Sequence, residues 1–565
     1  MKPGTPAKAP TNQAAIASAD EALLAELGYR QEFQRAFRPI EVFGVSLSII
    51  GLLPSIASVL FYALPNGGGP GMVWGWFAAS ILILSVAAAM GELASAAPTS
   101  GGLYFWTYSL SSPRWRTLLC WIVGYANTIG SVAAVASIDW GCAVQVMAAA
   151  GIGRWFLSFS ANAIVSATYA LLLVTHALLC SIGTQALARL QSFYVGVNGL
   201  LCLALLIALP ICTPADKRNT ASFALGSEGW VNLNGWPSGF AFIMSFLAPL
   251  WTICSFDSAV HISEEATNAA RAVPMAIVGA CAVGGVVGFA INIALAFCMG
   301  TDIEALYDAE QPLAAILLPA FGQKGTLAFW AFVVAVQYMM GSSMLLAASR
   351  QTFAFSRDGA LPFSNWLYRM NDFTGTPVNT VWFVAFLSLL LGLLAFAGDQ
   401  AINAVFSLSV IALYIAYIIP IVARFTGDND FKPGPFSLGK WSFPISFLAV
   451  AFMTLMSVVF LFPTTPNPAV PDMNYSVVVL GGVLGASVVY FYVPRYGGKY
   501  WFTGPVSTVE EAGEVGVRVG GDGNGISGGS MQGESEESRK SSRDDDSKTS
   551  EDRKGGDVDV QVVEI

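Results

Sequence analysis

Charge and histidine are what this 565-residue chain has least of. Lys, Arg, Asp and Glu make up 12% of it and there are two histidines, His176 and His261, against 55% hydrophobic residues. Soluble domains carry about 25% charged residues. A shortfall of that size excludes a water-soluble globular chain and implies a polytopic membrane protein. Two histidines cannot build a His-rich metal cluster, and no Walker phosphate-binding loop is present. The chain therefore does not read as an enzyme or an ATP-driven pump, and no cofactor, metal or nucleic-acid partner is expected. All eight cysteines fall in or at the ends of apolar runs, so packed thiols are expected rather than a disulfide framework.

Long apolar runs are abundant. About twelve approach the 20-residue spanning length, on residues 42–63, 71–96, 117–149, 161–181, 192–212, 239–262, 273–299, 326–348, 378–398, 402–424, 442–463 and 475–493. This predicts an all-α membrane protein embedded in a lipid bilayer. The first 38 residues hold charges but no apolar core, so no cleavable signal is expected. With the N-terminus in the cytosol, the inner loops would hold ten Lys and Arg and the outer loops four: Arg154, Lys217, Arg218 and Lys324. The positive-inside rule then favours cytosolic termini.

Three regions follow. Residues 1–40 form a cytosolic tail in which Tyr29–Ile40, with Phe33 and Phe37 four apart between charges, reads as an amphipathic helix. Residues 41–500 form the transmembrane domain. Residues 501–565 turn acidic, Gly- and Ser-rich, and are expected to be a disordered cytosolic tail from about residue 504.

Two spans interrupt themselves. Gly51 and Pro54 fall near the middle of the first, and Pro249 with Thr252-Ile253-Cys254-Ser255 holds the corresponding place in the sixth. Gly loosens a helix there and Pro removes one of its hydrogen bonds. Breaks at matching places in two halves point to a transporter of inverted repeats, spans one to five and six to ten, with its site at the midplane. Asp257 lies just beyond the second break, where a carboxylate costs roughly 2.5–3.5 kcal/mol on insertion scales and marks a functional site. Asp257, His261, Glu264 and Glu265 follow a helical stripe along a polar path.

Three separated segments then carry a resemblance: Gly91-Glu92-Leu93-Ala94 through Pro98-Thr99-Ser100-Gly101-Gly102, Arg350 through Arg357-Asp358-Gly359, and Thr376-Pro377-Val378-Asn379. They resemble hallmarks of amino acid-polyamine-organocation (APC) transporters. Phe256-Asp257-Ser258 through Glu264-Glu265 and Gly51-Leu52-Leu53-Pro54-Ser55 are similar to the fungal amino acid/choline subfamily and its GABA-permease-like members. The resemblance implies a LeuT-type 5+5 fold with broken helices 1 and 6, alternating access and coupling to protons. It also implies an aromatic over the substrate, matched by Trp251, and a proton-coupling carboxylate six positions on, matched by Asp257. Some relatives place a coupling lysine in the fifth span, where this chain has Asn198.

The substrate reads as an amino acid or a GABA-like amine. Amides of Ser55, Ile56 and Ala57 would meet a carboxylate, and carbonyls around Ile50, Gly51, Ile253, Cys254 and Ser255 an ammonium group. A choline, polyamine or vitamin-like amine carrier of the same fold, and a nutrient-sensing receptor, are the alternatives. Glu92 reads as a cytosolic gate partner of Arg350 or Arg38, and Glu264 and Glu265 as solvated or paired with Arg271. Asp139 is expected near the outer vestibule and His176 bonded, neutral, to a neighbouring helix. The plasma membrane, or else the vacuolar membrane, is the expected location.

Overall fold

The computed structural model describes residues 12–153, 161–470 and 473–509. The acidic tail beyond residue 509 and Arg154 lie outside them. The described chain is helical, without a β-sheet, and starts with α1 (Asn12–Glu26) on the terminus side. The first span is α2 (Pro39–Ile50) plus α3 (Leu52–Ala63). Then come α4 (Gly68–Ala96), the short α5 (Leu103–Leu110), α6 (Arg116–Ile152), α7 (Ala161–Cys180) and α8 (Thr184–Cys212). After the small α9 (Ala221–Leu225), the sixth span is built from α10 (Ser238–Met244), α11 (Leu247–Thr252) and α12 (Ser258–His261). The second half continues with α13 (Ala269–Cys298), α14 (Ile303–Tyr307), α15 (Pro312–Arg357), α16 (Ser364–Leu367), α17 (Val378–Gly392) and α18 (Asp399–Thr426). The last two spans are α19 (Ser442–Val459) and α20 (Ser476–Tyr492).

Ten of these twelve spans are long and apolar enough to cross a bilayer by themselves. The sixth, Ser238–Thr252, and the twelfth, Ser476–Tyr492, are shorter. The sixth is short because the break removes its second half from the continuous helix. All eight cysteines are free, and Cys212 alone among them is exposed.

The two broken spans run antiparallel at the centre, α2 beside α12 and α3 beside α11. Around them α4 and α13 pack as a pair, while α6, α7, α15 and α17 form a second group. The spans α19 and α20 attach at the rim, against α4 and α18 and against α6 and α18.

The segment read as an amphipathic helix is not helical. Residues 29–38 run extended beneath the bundle with Tyr29, Phe33 and Phe37 buried. Phe37 pairs with the chain after α12: its amide donates to the Glu265 carbonyl at 3.0 Å, and its carbonyl accepts from the Thr267 amide at 2.9 Å. Helix formation falls instead on Asn12–Glu26. Order also reaches past residue 504, since Thr508 donates its amide to the Gly28 carbonyl at 2.8 Å.

Candidate functional site

Gly51 takes the left-handed conformation, φ 42°, which ends α2 and starts α3. That conformation suits a residue without Cβ. Pro54 has no amide to give the Ile50 carbonyl, and the Ser55 hydroxyl takes over the bond at 2.7 Å. The Ser55 amide is already used, donating to Gly51 at 2.9 Å. Ile56 and Ala57 lie within the helical hydrogen-bond ladder. The expected donors are therefore displaced by one turn: the first-turn amides without a backbone acceptor among the described residues belong to Leu52 and Leu53, the latter turned to the Cys202 thiol, because α3 begins right after Gly51.

In the sixth span the helix stops at Thr252 and resumes at Ser258. Ser255 holds φ 56°, an uncommon backbone state for a residue with a side chain. The carbonyls of Ile253 and Cys254 take no hydrogen bond among the described residues, whereas the Ser255 carbonyl accepts from the Ser258 amide at 3.1 Å. The Ser255 carbonyl is thus already occupied. The two breaks meet over α13: a Cβ on Gly284 would lie 3.4 Å from Ile253 Cγ1 and 3.5 Å from Ile50 Cγ2. Asn198, in the fifth span, donates to the Leu47 carbonyl at 3.4 Å, in the last turn of α2.

Trp251 roofs this region. Its indole donates to the Ser137 hydroxyl at 3.1 Å, and its ring lies 5.0 Å from Phe406. Phe406 in turn meets Tyr62 at 6.1 Å. Tyr62 lines a cleft of about 90 Å³ that opens on the face opposite the termini, with Asn66, Asn234 and Gln400 on its walls.

Asp257 lies below, 2% exposed, and is clamped by two partners. The Tyr417 hydroxyl donates to Oδ1 at 2.7 Å, and His261 Nε2 lies 3.3 Å from Oδ2. His261 Nδ1 is 2.9 Å from the Ser100 carbonyl. A carbonyl can only accept, so Nδ1 carries a hydrogen. Nε2 is therefore the ring nitrogen that faces the Asp257 carboxyl. Asn127 turns its side-chain nitrogen to Nε2 at 3.3 Å, while its oxygen accepts from the Ser131 hydroxyl at 3.1 Å.

The stripe expected from Asp257 to Glu265 is not one helix. After His261 the chain tightens into a 3₁₀ turn over Ser263–Glu265. Glu264 and Glu265 are fully buried and neither is solvated nor paired with Arg271. Arg357 grips Glu264 through both terminal nitrogens, at 3.0 and 3.1 Å, and Arg350 donates to Glu265 at 2.8 Å. Arg350 is thus the partner of Glu265 and not of Glu92. Glu92 pairs with Arg424 at 2.5 Å and accepts from Ser437 and Ser442, because α4 packs against α19 near the end of α18.

The N-terminal strap closes over these pairs. Tyr29 lies with its ring 3.9 Å from the Arg357 guanidinium, and Gln31 donates to the Glu264 carbonyl at 2.7 Å. Asp358 accepts from Tyr104 at 2.7 Å, Tyr29 at 3.2 Å and the Val506 amide at 3.0 Å. Burial pushes the Asp358 carboxyl above the usual carboxylate range against the pull of Arg357. Sequence reasoning gave no role to Tyr29, Tyr417, Asn127 or Asp358; the Arg357-Asp358-Gly359 segment was the one available signal. Asp139 is also misplaced by that reading: it is fully buried and pairs with His176, rather than facing a vestibule.

A bundle with two broken antiparallel spans, a cleft on one face and a sealed mouth on the other defines a membrane transporter. A family profile described as amino acid permease matches residues 39–484. An uncharacterized amino-acid permease of Schizosaccharomyces pombe is 39% identical over 502 residues, covering 88% of this chain and 90% of its own. The GABA-specific permease of Saccharomyces cerevisiae is 37% identical, covering 87% and 86%. Amino-acid permease 2 of Neurospora crassa is 32% identical, covering 89% and 92%. The chain belongs to the amino acid permease family of the APC superfamily. It is an integral membrane transporter of amino acids or related amines, not an enzyme.

Proposed function

We propose that this permease carries a zwitterionic amine, GABA or an amino acid, by alternating access coupled to proton movement through Asp257. The observation that carries the reading is the meeting of the two chain breaks next to Trp251, with the buried Asp257–His261 contact just beyond the second break. The Leu52 amide, at the start of α3, suits a carboxylate, and the unpaired carbonyls of Ile253 and Cys254 suit an ammonium group. This division needs no charged side chain in the site. The likeness to a GABA-specific permease supports GABA within the class.

Both termini belong in the cytosol on this reading, as the ten-to-four distribution of Lys and Arg supports. The inner mouth is then the one sealed by Glu264–Arg357 and Glu265–Arg350. We place the protein in the plasma membrane, where an inward proton gradient drives uptake. Proteoliposomes with an imposed pH gradient test this with radiolabelled GABA, choline and a panel of amino acids. Gradient-dependent accumulation of GABA or an amino acid is expected. Accumulation of choline alone, or of none, would reject the substrate class.

A further inference from the structure

His261 is one of two histidines in the chain, and the other stands in the same relation to a carboxylate. His176 Nδ1 lies 3.1 Å from Asp139 Oδ2, between α7 and α6, and both side chains are wholly buried. The remaining polar atoms of the pair, Asp139 Oδ1 and His176 Nε2, have no hydrogen-bond partner among the described residues. A carboxylate beside a neutral imidazole would leave one net negative charge there with two bare acceptors. Buried charge of that kind is costly without compensation. One added proton brings the pair to zero net charge, so the site is built to hold one.

The ionisable groups packed around it are Cys142 on α6, Tyr169 and Cys180 on α7, and Tyr338 on α15, whose ring lies 4.2 Å from His176. Tyr194 on α8 reaches the same level through Ser342. Thiols and phenols are uncharged near neutrality. Arg350, the next charge along α15, is taken by Glu265.

The pair sits directly behind the candidate substrate site. Ser137, two residues before Asp139, accepts the Trp251 indole. Gly341 closes over the pair, since a Cβ there would lie 2.1 Å from Asp139 Oδ1 and 2.6 Å from His176 Cε1. Its neighbour Met340 receives the Ser55 hydroxyl at 3.3 Å beside Gly51. A change of charge on the pair therefore acts on walls that bear on both breaks.

The geometry points to Asp139–His176 as a second reversible proton-binding site, in the α6–α7–α15 scaffold and separate from Asp257. It stands whether or not Asp257 carries the coupling. With two histidines in the chain, ¹⁵N-histidine NMR of the full protein in nanodiscs reads both directly. His261→Gln leaves His176 alone; if that variant does not fold, His176→Gln assigns the same signal by its loss from the wild-type pair. The expected result is a change of the His176 imidazole between neutral and doubly protonated within the pH range over which the protein stays folded, abolished by Asp139→Asn. A His176 signal fixed in one protonation state across that range would overturn the proposal. Substrate exchange supplies the functional arm: Asp139→Asn should change the shape of the pH profile. A profile lowered uniformly, with its shape kept, would reject a role in transport.

Discussion

Asp257 draws its chemistry from neighbours contributed by three other elements. Tyr417 comes from α18, Asn127 from α6, and Ser100, the anchor of His261, from the turn before α5. Asp257→Asn keeps the shape and loses the proton, so binding of labelled substrate should persist while gradient-driven accumulation falls to background. Undiminished concentrative uptake would remove Asp257 from the coupling. Tyr417→Phe deletes one donor to the carboxylate, and hydrogen bonds to charged groups contribute about 1.5–3 kcal/mol. Gradient-driven accumulation should therefore fall more than equilibrium binding of labelled substrate. An equal loss of both would mean that Tyr417 only packs. The i, i+4 spacing of Asp257 and His261 was legible in the sequence. The nitrogen that His261 turns to Asp257 was not, because it is set by a carbonyl more than 150 residues away.

The breaks are the elements the sequence announced most clearly, since Gly51, Pro54 and Pro249 act through their own backbone chemistry. The hydrogen bonds that settle inside a break are less legible, because they depend on side chains that fold back. Ser55 bonds the carbonyl orphaned by Pro54, so Ser55→Ala should leave that buried group unpaired at a cost of about 1–3 kcal/mol. Thermal unfolding in detergent checks this, with a clear fall in midpoint expected and no change counting against it. The misreading of Tyr29–Ile40 has a related cause. Aromatics four apart share one face of a helix, but they also share one face of an extended strand. Arg38 precedes Pro39, and a residue before proline favours the extended form. Its φ of −78° and ψ of 163° follow that preference.

At the scale of the whole molecule, the partners of the buried charges were the least legible feature. Glu92 and Arg350 could be recognised as gate candidates and Glu264 and Glu265 as charges on a polar path, yet pairing is fixed by which helices pack together. Breaking a buried pair leaves an uncompensated charge and costs about 3–5 kcal/mol. Glu264→Gln should therefore weaken the inner closure. Cys254, 6% exposed at the second break, is a native reporter of that closure. In a variant with Cys254 as the sole cysteine, maleimide labelling should be slow in the full chain. It should quicken severalfold with Glu264→Gln or on deletion of residues 1–38; equal rates would show that the strap and the pair do not seal the site. The strap is hydrogen-bonded at Phe37 to both Glu265 and Thr267, and at Gly28 to Thr508. Any rearrangement that parts α12 from its neighbours must pull on that continuous thread. Movement at the sealed mouth would therefore load the stretch around Thr508 through the strap, a mechanical link between the Glu264 and Glu265 pairs and the end of the described chain.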